Sequence, residues 1–201
     1  MDFVETVEAL EERYGQAGEA SHLKVAPHIT PSYRAWIERS RLCILSTVGP
    51  DGTDASPRGD DGPVVRELDP ATLAIPDWRG NNRMDSLRNI VVDPRVSLMF
   101  VIKGSHNVIR VNGEAKITVD ETLCESFAHQ GHVPRSVIIV KVREVYSQCA
   151  RALMRARIWD GEDQAQGLPT MGDILREQSQ EVFDGARYDR EWGARAEKTM
   201  W

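Results

Sequence analysis

From residue 42 to residue 146 the chain repeats one pattern: a stretch rich in β-branched and aliphatic residues, cut short by Gly, Pro, Asp or Asn. Leu42 to Val48 runs into Pro50-Asp51-Gly52, a strong turn, and Thr53 to Arg58 returns from it as a hairpin. Gly59-Asp60-Asp61-Gly62-Pro63 breaks the chain again, and Val64 to Leu68 pairs with Thr72 to Ile75 around Asp69-Pro70. Val96 to Ile102 and Val108 to Val119 make a third pair around residues 103–107. Ser136 to Tyr146 is the last strand, with Val137, Ile139 and Lys141 on one face and Ile138, Val140 and Val142 on the other. One helix intervenes, with Met84, Leu87 and Val91 on a shared face, and Asp93-Pro94 stops it. Six or seven mostly antiparallel strands with one such helix predict a mainly β, Greek-key-like barrel, closed or nearly so, over about residues 40–146.

Helices are expected at both ends of this barrel, and the whole chain, 1–201, is read as a single domain. In the N-terminal part, 1–39, residues 1–15 carry Phe3, Val7, Leu10 and Tyr14 on one stripe that Gly15 and Gly18 end. Thr30 can cap a second helix from Pro31 to Arg39. Asp120 can cap another to Gln130, with Leu123 and Phe127 inward. The C-terminal extension, 147–201, predicts helices at about Gln148 to Ile158 and Met171 to Phe183; the polar end from Asp184 to Trp201 is expected to be loose or held by a partner.

A chain of 201 residues buries roughly 70% of its unfolded surface, so it needs no disulfide or metal staple. Cys43, Cys124 and Cys149 show no short spacing and sit among apolar or helical neighbours, which predicts buried, reduced thiols and no metal site. A net charge of −6 argues against nucleic-acid binding, which requires a basic face. It leaves room for a local basic pocket. The acidic N-terminus does not look like a signal peptide, and no apolar run approaches membrane-spanning length, so a soluble, cytoplasmic protein is expected.

The chemically informative stretch is Ile75-Pro-Asp-Trp-Arg-Gly-Asn-Asn-Arg-Met-Asp-Ser-Leu-Arg-Asn-Ile90. A strand end, a Gly-containing turn and a helix start come together here. Free amides at a helix start and the helix dipole favour an anion. Arg79 and Arg83 can give bidentate hydrogen bonds to a phosphate, and Asn81 and Asn82 tolerate left-handed backbone. The competing reading is a capped helix whose arginines are solvated or paired with Asp77 and Asp85. Spacing alone leaves the two even, and the turn matches neither a P-loop nor a dinucleotide fingerprint.

This strand, turn and helix, followed by Asp-Pro-Arg-Val-Ser-Leu-Met-Phe at 93–100 and Asn107-Val-Ile-Arg-Val-Asn-Gly113, resembles the pyridoxamine phosphate oxidase-like flavoproteins. Ser56-Pro57-Arg58-Gly59-Asp60 and the segment Arg83 to Asn89 are similar to an uncharacterised bacterial subgroup of that superfamily. The resemblance spans about residues 38–146. It implies a split barrel, a homodimer and two FMN molecules at the subunit interface. By that resemblance Asn82 and Arg83 grip the phosphate with Arg79 and Asn81 beside them, and Pro76-Asp77 approaches the ribityl chain or phosphate. Ser56, Pro57, Arg58 and Gly59 run beside the isoalloxazine, and Asn107 and Val108 come from the partner. The chain departs from the family in having Asn81-Asn82-Arg83 in place of a Ser-Arg-Lys type triplet and Asn107-Val108 in place of an Arg-Gln pair. The C-terminal Arg-x-His substrate clamp has no counterpart. These departures argue against vitamin B6 oxidase activity.

No Ser-His-Asp or Cys-His constellation stands out, so no acid or base is named and the hard chemistry is assigned to the flavin. His129 and His132 lack an obvious third ligand, and a solvated helix end is the favoured reading. His106 is a weaker candidate for the flavin site. Trp159 is expected to pack on the core, and Trp78 to shield the phosphate or meet a partner chain. The expected function is an FMN-dependent oxidoreductase acting on a small organic substrate. The alternatives are a flavin-binding sensor without turnover, or a member of the superfamily that uses haem or a deazaflavin coenzyme.

Overall fold

The computed structural model describes residues 1–201. Three helices come first, α1 (Val7–Tyr14), α2 (Glu19–Leu23) and α3 (Pro31–Ile37), followed by β1 (Leu42–Gly49), β2 (Gly52–Gly59), β3 (Arg66–Asp69) and β4 (Thr72–Asp77). Then come α4 (Asp85–Val92), β5 (Arg95–Val101), β6 (Val108–Thr118), α5 (Glu121–Glu125) and β7 (Ser136–Gln148). Helices α6 (Arg151–Arg155), α7 (Met171–Gln178) and α8 (Gly185–Thr199) end the chain.

All seven strands join one antiparallel sheet in the order β2-β1-β5-β6-β7-β4-β3. The expected mainly β, antiparallel split barrel is therefore present, but no ladder joins β2 to β3 and the sheet stays open there. The connection between these two strands lies against the start of β1 instead, where Asp60 N donates to Arg41 O and Val64 N to Ser40 O. Leu45, Leu73, Leu98, Phe100, Val111 and Ile138 fill the interior with almost no exposure. Burial of each such side chain is worth about 1.5–3 kcal/mol. Ile29 and Ile37 join this core from the N-terminal segment. The bidentate pair of Arg34 with Glu67 ties α3 to edge strand β3, at 2.8 and 2.6 Å.

Strand β4 is buried on both faces. Leu73 and Ile75 point into the main core, while Ala74 joins Cys124 and Val137 in a second cluster under α5. A strand covered on both sides reads as a continuous apolar run, as this one does. Its end, Pro76-Asp77, is thereby held firmly where the functional cleft begins.

Two close backbone approaches demand glycine. A Cβ on Gly113, which faces the β7 bulge at Arg143, would stand 2.1 Å from Lys141 O. A Cβ on Gly172 or Gly185 would stand 2.2 Å from the other residue's carbonyl oxygen, so α7 and α8 meet backbone to backbone. Asp189 secures that contact by accepting from Gly172 N at 2.9 Å and Thr170 Oγ1 at 2.5 Å.

Four expectations change. The stripe of Phe3, Val7, Leu10 and Tyr14 faces solvent, because nothing in the chain folds over α1. The helix expected from Asp120 to Gln130 stops at Glu125, and residues 129–132 instead form a tight turn closed by a His129–His132 bridge. There Gln130 and Gly131 both have positive φ. The tail expected to be loose forms the 15-residue helix α8, capped by Asp184 accepting from Arg187 N. Cys149 is exposed, whereas Cys43 and Cys124 are buried. Burial pushes the Cys43 thiol up to about 12 despite the nearby Arg58 guanidinium.

A thiol reagent applied to the native protein is therefore expected to modify Cys149 rapidly and the other two cysteines only after denaturation. Mass spectrometry after a timed pulse reads this directly. Gly113→Ala is expected to cost about 2 kcal/mol or more, because β6, paired on both sides, cannot retreat from the Lys141 carbonyl of β7. Urea unfolding measures the loss.

Candidate functional site

The open side of the barrel is bridged by side chains. Arg58 on β2 and Asp77 at the end of β4 meet at 2.5 Å, each side chain 18% exposed. Just beyond, Trp78 Nε1 donates to Asp60 Oδ2 at 2.9 Å. At the other end of β2, Ser86 Oγ in the first turn of α4 donates to Asp54 Oδ2 at 2.5 Å. The segment from Trp78 to Ser86 thus runs back alongside β2 from Asp60 to Asp54, a strand length of roughly 20 Å. Between them lies a cleft of about 830 Å³, within the range of small-molecule sites.

The α4 end of this cleft is built for an anion. Helix α4 has no side-chain cap, so its first-turn amides are unclaimed by a side chain. Asn82 and Met84 both adopt left-handed backbone at φ 60°, and Arg83 N donates to Asn81 Oδ1 at 3.0 Å. Left-handed residues next to helical ones turn successive N–H groups toward one side, which makes an anion-binding concavity. Helix α4 is fixed behind it. Asn89 Nδ2 donates to Thr47 Oγ1 at 3.0 Å, and Gly49 leaves room for that side chain.

Both readings of the arginines find support. Arg83 Nε lies 2.9 Å from Asp85 Oδ2, with side-chain exposures of 74% and 47%, and Arg58 pairs with Asp77. An exposed pair such as Arg83–Asp85 is worth under about 1 kcal/mol and yields easily to a dianion. Arg79 and Arg135 line the cleft without a carboxylate partner. The half-buried Arg58 also keeps its Nε free of any hydrogen bond. A buried guanidinium N–H without an acceptor is costly and marks a place for a polar ligand atom.

Ser56, Pro57, Arg58, Gly59, Pro76, Asp77, Arg79, Asn81, Asn82 and Arg83, drawn from two distant segments, all line this one cleft. Asn107 and Val108 do not. Asn107 is exposed just before β6, and Val108, the first residue of β6, is buried. His106 and Trp159 also lie elsewhere; Trp159 Nε1 donates to Ser105 O at 2.7 Å and covers the β5–β6 connection.

Among the lining residues that went unread, three bear on the site's chemistry. Arg135 reaches the cleft because Ser136 pairs with Asp77 in the β4–β7 ladder, and its guanidinium donates to Asn82 Oδ1 at 3.3 Å. The only sequence signal was a basic residue immediately before a strand. Met200 and Trp201, the last two residues, line the opposite end from α4. There Trp201 meets Trp78 edge-on, with ring centres 5.4 Å apart, and lies 4.6 Å from His129.

The sequence matches the family model described as Pyridoxamine 5'-phosphate oxidase over residues 29–149. No curated protein matches the chain. Among solved structures, HupZ of Group A Streptococcus is 20% identical, covers 59% of this chain and 93% of its own, and superposes with a TM-score of 0.49. General stress protein 26 of Bacillus anthracis is 20% identical over 57% of this chain and 88% of its own, with a TM-score of 0.45. An FMN-binding protein of Syntrophomonas wolfei is 12% identical over 71% of this chain and 97% of its own, with a TM-score of 0.44. No helix is long and apolar enough to cross a membrane. With more than half its length matched by the family model, across the barrel and the basic turn alike, the chain belongs to the pyridoxamine 5'-phosphate oxidase family.

Proposed function

We propose that the cleft holds FMN, with the phosphate on the α4 amides, Arg79 and Arg83, and the ring system alongside Ser56 to Gly59 toward Trp78. The observation that carries this reading is the uncapped start of α4, reached through two left-handed residues and flanked by arginines held by nothing stronger than an exposed ion pair. The donor set suits the ligand. Guanidiniums and amides cluster at one end, and aromatic rings stand at the other. The cleft length and volume accommodate a flavin nucleotide.

Bound there, the flavin supplies hydride or electron transfer, and the protein is an oxidoreductase acting on a small organic substrate. The roles of the chain's own residues follow from their positions. Arg79, Arg83 and Arg135 neutralise the dianion, Asn82 is held in place by Arg135, and the Arg58–Asp77 pair fixes one wall. The reading extends to a cytoplasmic homodimer in which Asn107 and Val108 approach the partner's flavin. The exposed position of Asn107, away from its own cleft, is compatible with that role.

The purified protein is expected to be yellow and to release FMN on denaturation, and added FMN should raise the melting temperature of the apoprotein. A colourless protein indifferent to FMN would refute the site. Arg83→Ala is expected to weaken FMN by about 2 kcal/mol, or about thirtyfold, in a calorimetric titration. Unchanged affinity would remove Arg83 from the site. Light scattering should give a dimer; a monomer that binds FMN tightly would contradict the shared interface.

A further inference from the structure

The pyridoxamine phosphate oxidase-like reading assigns no role to the last helix, yet that helix ends inside the cleft. Helix α8, about 22 Å long at 1.5 Å per residue, carries the chain from its contact with α7 to the open side of the barrel. Most of α8 is exposed, but Trp201 beyond its end is half-buried. Its indole rests edge-on against Trp78, with an interplanar angle of 81°, and against the His129 ring. Trp78 is held by its hydrogen bond to Asp60 and His129 by the tight 129–132 turn, its buried Nε2 lying 3.4 Å from Asp61 Oδ2 and making no hydrogen bond. An exposed, largely polar helix thus delivers one large aromatic group to the end of the cleft farthest from the anion site.

We infer that Trp201 is the movable cover of the ring end of the cofactor cleft: it packs against the flavin ring system, shields it from solvent and helps retain it. This inference rests on the FMN reading above and deepens it. The alternative, an indole that fills the space the ligand needs, conflicts with the geometry. The 830 Å³ cleft is bounded by Trp201, so the room for a nucleotide exists with the indole seated. No arginine lies over the Trp201 ring, which leaves the guanidiniums of the anion end free. Met200, between α8 and the indole, is 56% exposed, and Trp201 belongs to no strand and no core cluster, so the indole can swing aside with the barrel intact.

Indole close to isoalloxazine quenches flavin emission, which gives a readout that a purely structural role would leave unchanged. FMN is titrated into wild type, Trp201→Ala, Trp201→Phe and, as a control on the same helix, Trp192→Phe. Affinity is followed by calorimetry, bound-flavin emission by lifetime, and solvent access by iodide quenching. Circular dichroism melting of each apoprotein checks folding. Trp201→Ala is expected to bind FMN about tenfold more weakly, with brighter and iodide-accessible bound flavin. Trp201→Phe should recover most of the affinity and protection while remaining brighter than wild type, quenching by Trp78 being common to all forms, and Trp192→Phe should match wild type. If wild type binds FMN and Trp201→Ala binds as tightly, as dimly and as well protected, the cover is refuted while the FMN site stands. Tighter binding by Trp201→Ala would make the indole an obstruction and would also refute it. Failure of every form to bind FMN would instead refute the site itself, and the cover with it.

Discussion

No ladder joins β2 to the β4–β3 end of the sheet, and one ion pair, between β2 and the end of β4, spans the gap instead. Arg58 and Asp77, each largely withdrawn from water, span the opening at 2.5 Å. A charge at such a position is tolerable only while paired, so the two strands that carry it are held at a fixed separation. The separation is what makes a cleft. Had β2 and β3 paired along their length, the connection from β4 to α4 would have had no trough to border, and the first turn of α4 would have faced the bulk.

Around that pair the barrel divides its labour between interior and rim. The interior is aliphatic and closely packed, and it clamps β4 from both faces. The rim carries the polar groups, and most of its carboxylates are already occupied. Asp54 holds Ser86, Asp60 holds Trp78, Asp77 holds Arg58 and Asp85 holds Arg83. Because Asp77 and Asp85 are matched to Arg58 and Arg83, a chain with a net charge of −6 still presents two guanidiniums without a carboxylate partner, Arg79 and Arg135, to the cleft.

The parts legible in the sequence were those governed by short-range chemistry. Pro50-Asp51-Gly52 announced the first hairpin, Asp93-Pro94 the end of α4, and the paired asparagines a left-handed residue, found at Asn82. The parts that escaped depend on distant segments meeting. Arg135 enters the site only through the register that sets Ser136 opposite Asp77, and no local pattern encodes that register. Helix α8 was unrecognised because its partner is the backbone of Gly172, and a glycine contact leaves no apolar stripe. The amphipathic N-terminal stripe illustrates the reverse case, a local pattern without a surface to cover it.

The backbone contact between Gly172 and Gly185 also has a mechanical side. With no side chains between them, α7 and α8 meet at one close backbone contact at the start of each helix, secured by Asp189, and a tilt of α8 would turn about that point. Fifteen residues of helix then act as a lever arm, and a tilt of about 5° at the pivot carries its tip about 2 Å. Small rearrangements near Thr170, far along the chain from the basic turn, are in this way geared up into displacements the size of an atom at the terminus.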